Sequence, residues 1–516
     1  MTIRAIAKRL GATLLPLAAT TALGASLALP APQICGADGS WGLERRAPQE
    51  VFDYMDSIGR AAFDQRAACA SWAGTYSARR SARAGSDEAT VPMAARLIIF
   101  PAAGTHLREL TAWLARTGHV RSMEQTRTYV VAEFARRLSA ERLRTLIDAA
   151  QIQYAEPDCD GPDFLTTSME LMTLGTETPS CWKRSARAVF PNDPCIDELW
   201  GHTSIGWDSS IAARSLPRLV AVLDSGIDAA HEDLARNVMP RLLSHEPARS
   251  QGGQLNARCA TSGRCFRHGT EMAGTIGGRM DNGIGVAGVA PNSRLLPIVI
   301  SRVDHGLLAR LSTIAAGIDA ATRSGADVIN ISAKWPVDSR AISESILAAV
   351  GGSAARRRLV VTGYTTTLRG DDTVREYYPS RYRCLPGVLA AVPTDMRGRN
   401  LSHPKGRPNA DDGRIQAPGV DIVVTTTENS DRGYALSEAA GASSAAAYVS
   451  GAVALVWGSP PLNTCDAQQI KQLLFCRSKS SNSTRYPWIN VEFLRELANV
   501  DPGASCSSAM EALACN

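Results

Sequence analysis

The sequence has little that would commit it to nucleic acid, to metal chemistry or to a membrane interior. Lys and Arg number 55 against 50 Asp and Glu, a formal charge of +5 that is small for 516 residues. No Lys/Arg-dense run and no interleaved aromatic–basic patch occurs, which excludes the usual footprint of a nucleic-acid binder. No C-x-x-C pair occurs among the 12 cysteines, so zinc and dithiol redox chemistry lose their commonest signature. Beyond the N-terminus no apolar run is long enough to cross a bilayer.

What is present starts with a leader-like stretch. Arg4, Lys8 and Arg9 precede the uncharged run Leu10 to Ala19, and no charge follows until Asp38. Small residues around Ser26-Leu27-Ala28 and Leu29-Pro30-Ala31 offer cleavage sites. Residues 1–31 thus read as a secretory signal peptide, with an uncleaved anchor as the alternative; Pro16 argues against the anchor. An even number of cysteines suits the oxidising compartment that export implies. The close pairs Cys181/Cys195, Cys259/Cys265, Cys465/Cys476 and Cys506/Cys515 would close short loops. Cys35, Cys69, Cys159 and Cys384 remain for longer links, and spacing leaves the connectivity open.

Residues 32–94 show no sustained period and read as an N-terminal extension or linker. From 95 to 158 the pattern is strand, helix, strand, helix, strand: Leu97–Phe100, a helical face of Leu107, Leu110 and Leu114, then Tyr129–Phe134. Ser139 can cap a helix carrying Leu143 and Ile147, and Ile152–Tyr154 is the last strand. That is a small α+β unit. Residues 159–190 read as a connecting loop.

From 191 to 500 the continuous apolar runs Leu219–Leu223, Leu295–Ile300, Val328–Ile331, Leu359–Val361 and Val388–Val392 alternate with helical patterns. Such runs mark parallel strands covered on both faces, with functional residues at their carboxyl ends. Residues 501–516 form a C-terminal tail.

Three stretches carry chemistry. Asp224 follows the first apolar run directly, as either a turn-former or an orienting carboxylate. His268 opens His-Gly-Thr-Glu-Met-Ala-Gly-Thr-Ile-Gly-Gly, a loop-to-helix junction stopped by Gly277-Gly278. Ser443 enters an alanine-rich helix that runs to Trp457 and is stopped by Gly458, Pro460 and Pro461. Each alone has a bland structural reading. Together they supply a hydroxyl, a base to deprotonate it and an acid to orient that base. The α/β-hydrolase arrangement is excluded, because Ala445 stands where the last glycine of G-x-S-x-G belongs.

These residues resemble the subtilisin-like serine proteases (subtilases, peptidase family S8). The resemblance is carried by Val-Leu-Asp-Ser-Gly-Ile-Asp around Asp224, His-Gly-Thr-x-x-Ala-Gly-Thr around His268 and the Ser443 stretch. Gly285–Pro291, Asp327–Ser332 and Ala417–Val420 are similar to further family segments. The resemblance implies an α/β fold, a largely parallel sheet flanked by helices and preceded by a small α+β pro-domain. It implies Ser443 as nucleophile, His268 as general acid/base and Asp224 as its orienting partner in a secreted or periplasmic endopeptidase. The substrates would be polypeptides, with residues 95–158 as an intramolecular inhibitor that is cut away. No cofactor would be needed for catalysis.

The departures from the family pattern define further expectations. Tyr364 stands where the family places an oxyanion-binding Asn, with Thr365 as the neighbouring candidate. Ser332-Ala333-Lys334-Trp335 replaces a Ser-x-Gly-Gly segment bordering the substrate cleft, which places bulk and charge there. Ala447-Tyr448 replaces a Pro-His pair. These changes motivate an alternative, a catalytically impaired pseudoprotease acting as a binding or scaffold protein. Asp233 and Asn282 are similar to a structural calcium site of the family, with an ordinary Asn-Gly turn as the competing reading.

Overall fold

The computed structural model describes residues 47–58, 64–72, 95–135, 138–159, 181, 184–239, 243–244, 268–300, 309–351, 358–368, 374–402, 412–426, 433–437, 441–480 and 487–515. The leader-like residues 1–31 and Cys35, Cys259 and Cys265 lie outside the described residues.

The N-terminal portion is built on strands β1 (Arg96–Pro101), β2 (Val120–Gln125), β3 (Val130–Phe134) and β4 (Ile152–Pro157), in the order β2-β3-β1-β4 and antiparallel throughout. β2 has no apolar run, because it is an edge strand on which only Val120 and Met123 turn toward the core. One sheet face packs Leu97, Ile99, Val130 and Phe134 against its two crossover helices. Residues 47–72 are not only linker. Helices α1 (Gln49–Ile58) and α2 (Gln65–Trp72) pack Val51, Tyr54, Met55 and Ala68 into that same core. A disulfide ties Cys69 to Cys159 at the end of β4.

Among the described residues the larger portion is a sheet of nine strands. Five of them frame the site: β5 (Leu219–Asp224), β7 (Arg294–Val299), β8 (Val328–Ile331), β9 (Leu359–Gly363) and β12 (Val388–Thr394); β6 (Leu243–Ser244) is an edge strand, and β10 (Thr366–Leu368) pairs with β11 (Val374–Glu376) in a separate ribbon. β5 lies between β7 and β8, with β9 and β12 following beyond β8, all parallel. Both faces are covered, which explains why each strand reads as an unbroken apolar run. Helices α3 (His268–Gly277) and α6 (Ala442–Gly458) pack together and cover one face. Helices α4 (Leu311–Arg323) and α5 (Arg340–Val350) cover the other. The outer side of α4 and α5 receives the second face of the N-terminal sheet, through Ile98, Phe100, Tyr129 and Tyr154.

Among the described residues the short-loop pair Cys181–Cys195 forms, and the other two expected pairs exchange partners. Cys465 bonds Cys506, and Cys476 bonds Cys515. The reason is helical rise. Cys465 and Cys476 bracket the helix Ala467–Cys476, and at 1.5 Å per residue their Cα atoms stand roughly 16 Å apart, far beyond disulfide reach. The C-terminal residues are accordingly not a loose tail: Cys506, Ala509, Met510 and Leu513 lie in the main core.

Candidate active site

Asp224, the last residue of β5, is buried with its carboxylate turned to the start of α3. His268 Nδ1 lies 2.9 Å from each of the two carboxylate oxygens, and the histidine is fully buried. An ionised carboxylate only accepts, so Nδ1 carries the proton and Nε2 is left as the basic nitrogen. Asp224 also accepts from the Ser225 amide at 2.7 Å, while the Ser225 hydroxyl accepts from the Gly269 amide at 3.1 Å. The approach requires a glycine after the histidine. A Cβ at residue 269 would stand 2.1 Å from the Gly226 carbonyl oxygen and 3.1 Å from Asp224 Cβ.

Ser443 lies in the first turn of α6, where N–H groups without intrahelical partners and the positive dipole end gather. The preceding Gly441 adopts φ of 34°, a left-handed conformation suited to glycine. Ser443 Oγ donates to the Ser332 carbonyl oxygen at 3.4 Å, and the Ser332 hydroxyl donates back to the Ser443 carbonyl at 3.4 Å. Asn330 Nδ2 donates to the Ser332 hydroxyl at 3.0 Å, and Ser450 Oγ donates to Asn330 Oδ1 at 2.9 Å. Asn330 and Ser450 thus brace the Ser332 hydroxyl beside Ser443, contacts that the sequence expectations did not include. The available signal was spacing: Asn330 sits two residues before Ser332, and Ser450 seven after Ser443, so each pair shares a face.

The two assemblies adjoin. β5 and β8 are paired neighbours, with Leu223 opposite Ile331, so Asp224 and Ser332 follow side by side at the carboxyl edge. Parallel neighbours are about 5 Å apart. Asp224 with His268, and Ser443 with Ser332, are thereby gathered at one end of adjacent strands.

The other expected residues divide. Tyr364 is fully buried with Ala390 and Val392, on the face of β9 opposite Val361 and Leu359, which pack toward α6. Its hydroxyl donates to Glu376 Oε1 at 2.6 Å, and its ring lies beneath the guanidinium groups of Arg383 and Arg414. The phenol is therefore engaged away from the helix that carries Ser443, contrary to the expectation that it serves as an oxyanion donor. Thr365 stays half-buried just past β9, its carbonyl accepting from the Tyr377 amide at 3.2 Å.

Trp335 also departs from expectation. It is fully buried in the core, and its backbone pairs with Tyr378 through two hydrogen bonds of 2.9 Å, so its bulk does not fill the cleft. Ala333 and Lys334 remain half-buried beside Ser332.

The Asp233 and Asn282 pair does not fit a cation. Asp233 Oδ1 accepts from Asn282 Nδ2 at 2.7 Å; Oδ2 accepts from the Val286 amide at 2.9 Å and the Tyr434 hydroxyl at 2.8 Å. Asn282 Oδ1 accepts from the Ile284 amide at 3.1 Å. Both side chains thus brace the turn through hydrogen bonds, and burial pushes the Asp233 carboxyl up to about 7. Among the described residues no cluster of three or more His, Cys, Asp or Glu could hold a metal ion.

The model of the Subtilase family matches residues 218–486, more than half of the chain. Subtilisin of Bacillus pumilus is 30% identical over 246 residues, covering 47% of this chain and 77% of that protein. Subtilisin DY of Bacillus licheniformis is 28% identical over 277 residues, covering 53% and 89%. Fervidolysin of Fervidobacterium pennivorans is 30% identical over 244 residues, and the chain spans 32% of its length. The crystal structure of fervidolysin, described as a keratinolytic enzyme related to subtilisin, superposes with a TM-score of 0.57 at 21% identity. That match covers 80% of this chain and 62% of fervidolysin, and it speaks to fold alone.

Proposed function

Because the chain belongs to the subtilase family of serine-type endopeptidases, we propose that it hydrolyses peptide bonds through Asp224, His268 and Ser443. The observation that carries this reading is the buried His268–Asp224 pair, 2.9 Å from nitrogen to both oxygens, at the strand edge where Ser443 is held. His268 Nε2 takes the Ser443 proton as Oγ attacks the substrate carbonyl, then gives it to the departing amine. Asp224 stabilises the imidazolium in between. Water, deprotonated by the same nitrogen, releases the acyl group. The Ser443 amide serves as one oxyanion donor at the start of α6.

Residues 95–158 are read as the pro-segment, and α1 and α2 leave with them. Support comes from their docking on α4 and α5. Asp158 accepts from the Ser312 amide at 2.9 Å and the Ser312 hydroxyl at 2.7 Å, at the start of α4. Glu156 accepts from the Ser339 hydroxyl at 2.7 Å and the Arg340 amide at 2.9 Å, at the start of α5. Each carboxylate thus faces a helix N-terminus, where negative charge is stabilised. Cutting within 159–190 would free the catalytic portion. Export is supported by the disulfides and by the leader-like stretch; among the described residues no helix is long and apolar enough to cross a membrane.

The test is mass spectrometry of the purified protein beside Ser443→Ala, with a fluorophosphonate label. Processing and labelling in the parent, and neither in the variant, are expected. Equal labelling of the variant overturns the nucleophile assignment. A labelled protein that turns over no casein would favour a binding role instead.

A further inference from the structure

The helix that opens at Ser443 carries a second buried serine, far from the reacting atoms. From Ala445 to Trp457 it reads Ala, Val, Leu and Gly apart from Tyr448, Ser450 and the closing indole. Ser450 is fully buried, where a hydroxyl without a partner costs stability. Its partner is equally unexpected in its setting. Val328 packs in the core with α6, while Ile329 and Ile331 pack on the opposite face of β8. Asn330, two residues beyond Val328 and fully buried, therefore faces α6 from an otherwise apolar strand. Ser450 Oγ donates to Asn330 Oδ1 at 2.9 Å, and Asn330 Nδ2 donates to Ser332 Oγ at 3.0 Å. The Ser332 hydroxyl donates in turn to the Ser443 carbonyl at 3.4 Å. This chain of bonds leaves α6 at Ser450, follows β8 and returns to α6 at Ser443. Seven residues are two helical turns, so its two ends lie on one face about 10 Å apart.

The two links between Ser332 and Ser443 fare differently in the reaction. Ser443 Oγ donates to the Ser332 carbonyl at 3.4 Å, a bond given up when His268 takes the proton. The bond from the Ser332 hydroxyl to the Ser443 carbonyl involves no reacting atom, so it holds the first turn of α6 while the side chain turns. A serine hydroxyl has one proton, and Ser332 has it to give because it accepts from Asn330. From this arrangement we infer that Ser450 is a positioning residue for catalysis, acting through Asn330 and Ser332 on the backbone of Ser443. That backbone carries both the nucleophile and an oxyanion-donating amide. Ser450 acts by fixing which way the Asn330 amide points. With alanine at 450 no donor holds Oδ1, and a half-turn of the amide brings that oxygen onto Ser332. Oδ1 then takes the Ser332 proton, and the Ser443 carbonyl is released. The inference rests on the endopeptidase reading and adds to it a residue two turns from the chemistry.

The experiment is a double-mutant cycle on the processed protein: wild type, Ser450→Ala, Ser332→Ala and the double variant. Each is read by turnover of a fluorogenic peptide, by the rate of fluorophosphonate labelling and by melting temperature. Alanine is the best helix former, so Ser450→Ala keeps α6 intact. It should lower kcat and the labelling rate about tenfold with KM unchanged, less than the roughly 100-fold that a misplacement of about 1 Å costs. Ser332→Ala removes the last link, so in that background Ser450→Ala should change kcat by less than about twofold. The acid limb of the pH profile should stay where wild type has it, because His268 and Asp224 keep their contact. A lower melting temperature with unchanged kcat in Ser450→Ala is a merely structural role and overturns the inference. Effects of the two single variants that multiply in the double variant overturn it as well, as does a shifted acid limb. Wild type that neither takes the label nor hydrolyses peptide or casein overturns the endopeptidase reading instead.

Discussion

The Tyr364 hydroxyl donates to Glu376 Oε1 at 2.6 Å, on the face of β9 opposite the helix that carries Ser443. Its burial and that short bond push the phenol pKa well up, so it stays protonated as a donor to Glu376. Tyr364→Phe should therefore change peptide turnover by less than about threefold. Removal of a working oxyanion donor costs about 10²–10³. The same variant should lower the melting temperature, since Glu376 loses a partner worth about 1–3 kcal/mol. Steady-state kinetics and thermal unfolding on one preparation check both.

Asp224→Asn should lower kcat on the order of 10⁴-fold. An amide can donate to Nδ1, which favours the tautomer with its proton on the nitrogen that should act as base. The Ser443 label should form proportionately slower, while circular dichroism stays that of the parent.

Docking of the N-terminal portion depends on Asp158. Replacing it with Ala removes acceptors for the Ser312 amide and hydroxyl and for Arg96. The processed segment should dissociate about tenfold more readily, read as faster onset of activity after processing. Cys69→Ser opens a bridge across 90 residues. It should destabilise the unprocessed form by about 2–5 kcal/mol in denaturant unfolding, and leave the processed catalytic portion unaffected.

His202 should make the protein acid-labile. It packs edge-on against Trp207 and Tyr448, and burial pushes its pKa down to about 4 from 6.5. The unfolded chain takes up a proton below pH 6.5 that the folded chain refuses until about pH 4. Stability is thus complete above the higher value and falls as pH drops through that window, by up to about 3 kcal/mol. Melting curves at neutral pH and near pH 4.5 should show His202→Gln losing part of this slope.

A chelator should not lower the melting temperature through the Asp233 turn, because the oxygens there accept from N–H and O–H donors. Asp233→Ala should cost about 3 kcal/mol by leaving those buried donors without an acceptor. A chelator-dependent loss of stability that Asp233→Ala abolishes would restore the calcium reading.

Much of the fold was legible because burial on both faces leaves a plain trace. Val220 to Leu223 and Val328 to Ile331 are unbroken apolar runs since both sides of those strands are covered. Asp224 could then be read as a strand-end residue, and Ser443 as the entrance to a helix. β2 left no such trace, because Val120 to Gln125 is an edge strand whose side chains, Val120 and Met123 apart, are exposed.

Side-chain direction was not legible at the cleft. Trp335 reads as bulk in a binding segment until its backbone is seen paired to Tyr378, which rolls the indole into the core. Tyr364 sits at the position expected of an oxyanion donor, but whether it faces Ser443 depends on Glu376, Arg383 and Arg414 gathering behind it.

The order of amino acids alone determined which groups are available: a carboxylate after one strand, an imidazole and a hydroxyl each opening a helix, and twelve thiols. Only the folded chain decided which of them meet. Hydroxyl and ring orientations and cysteine partners depend on neighbours far apart along the backbone, and local preference carries no record of them. Cys465 finds Cys506 for that reason, and His268 finds Asp224.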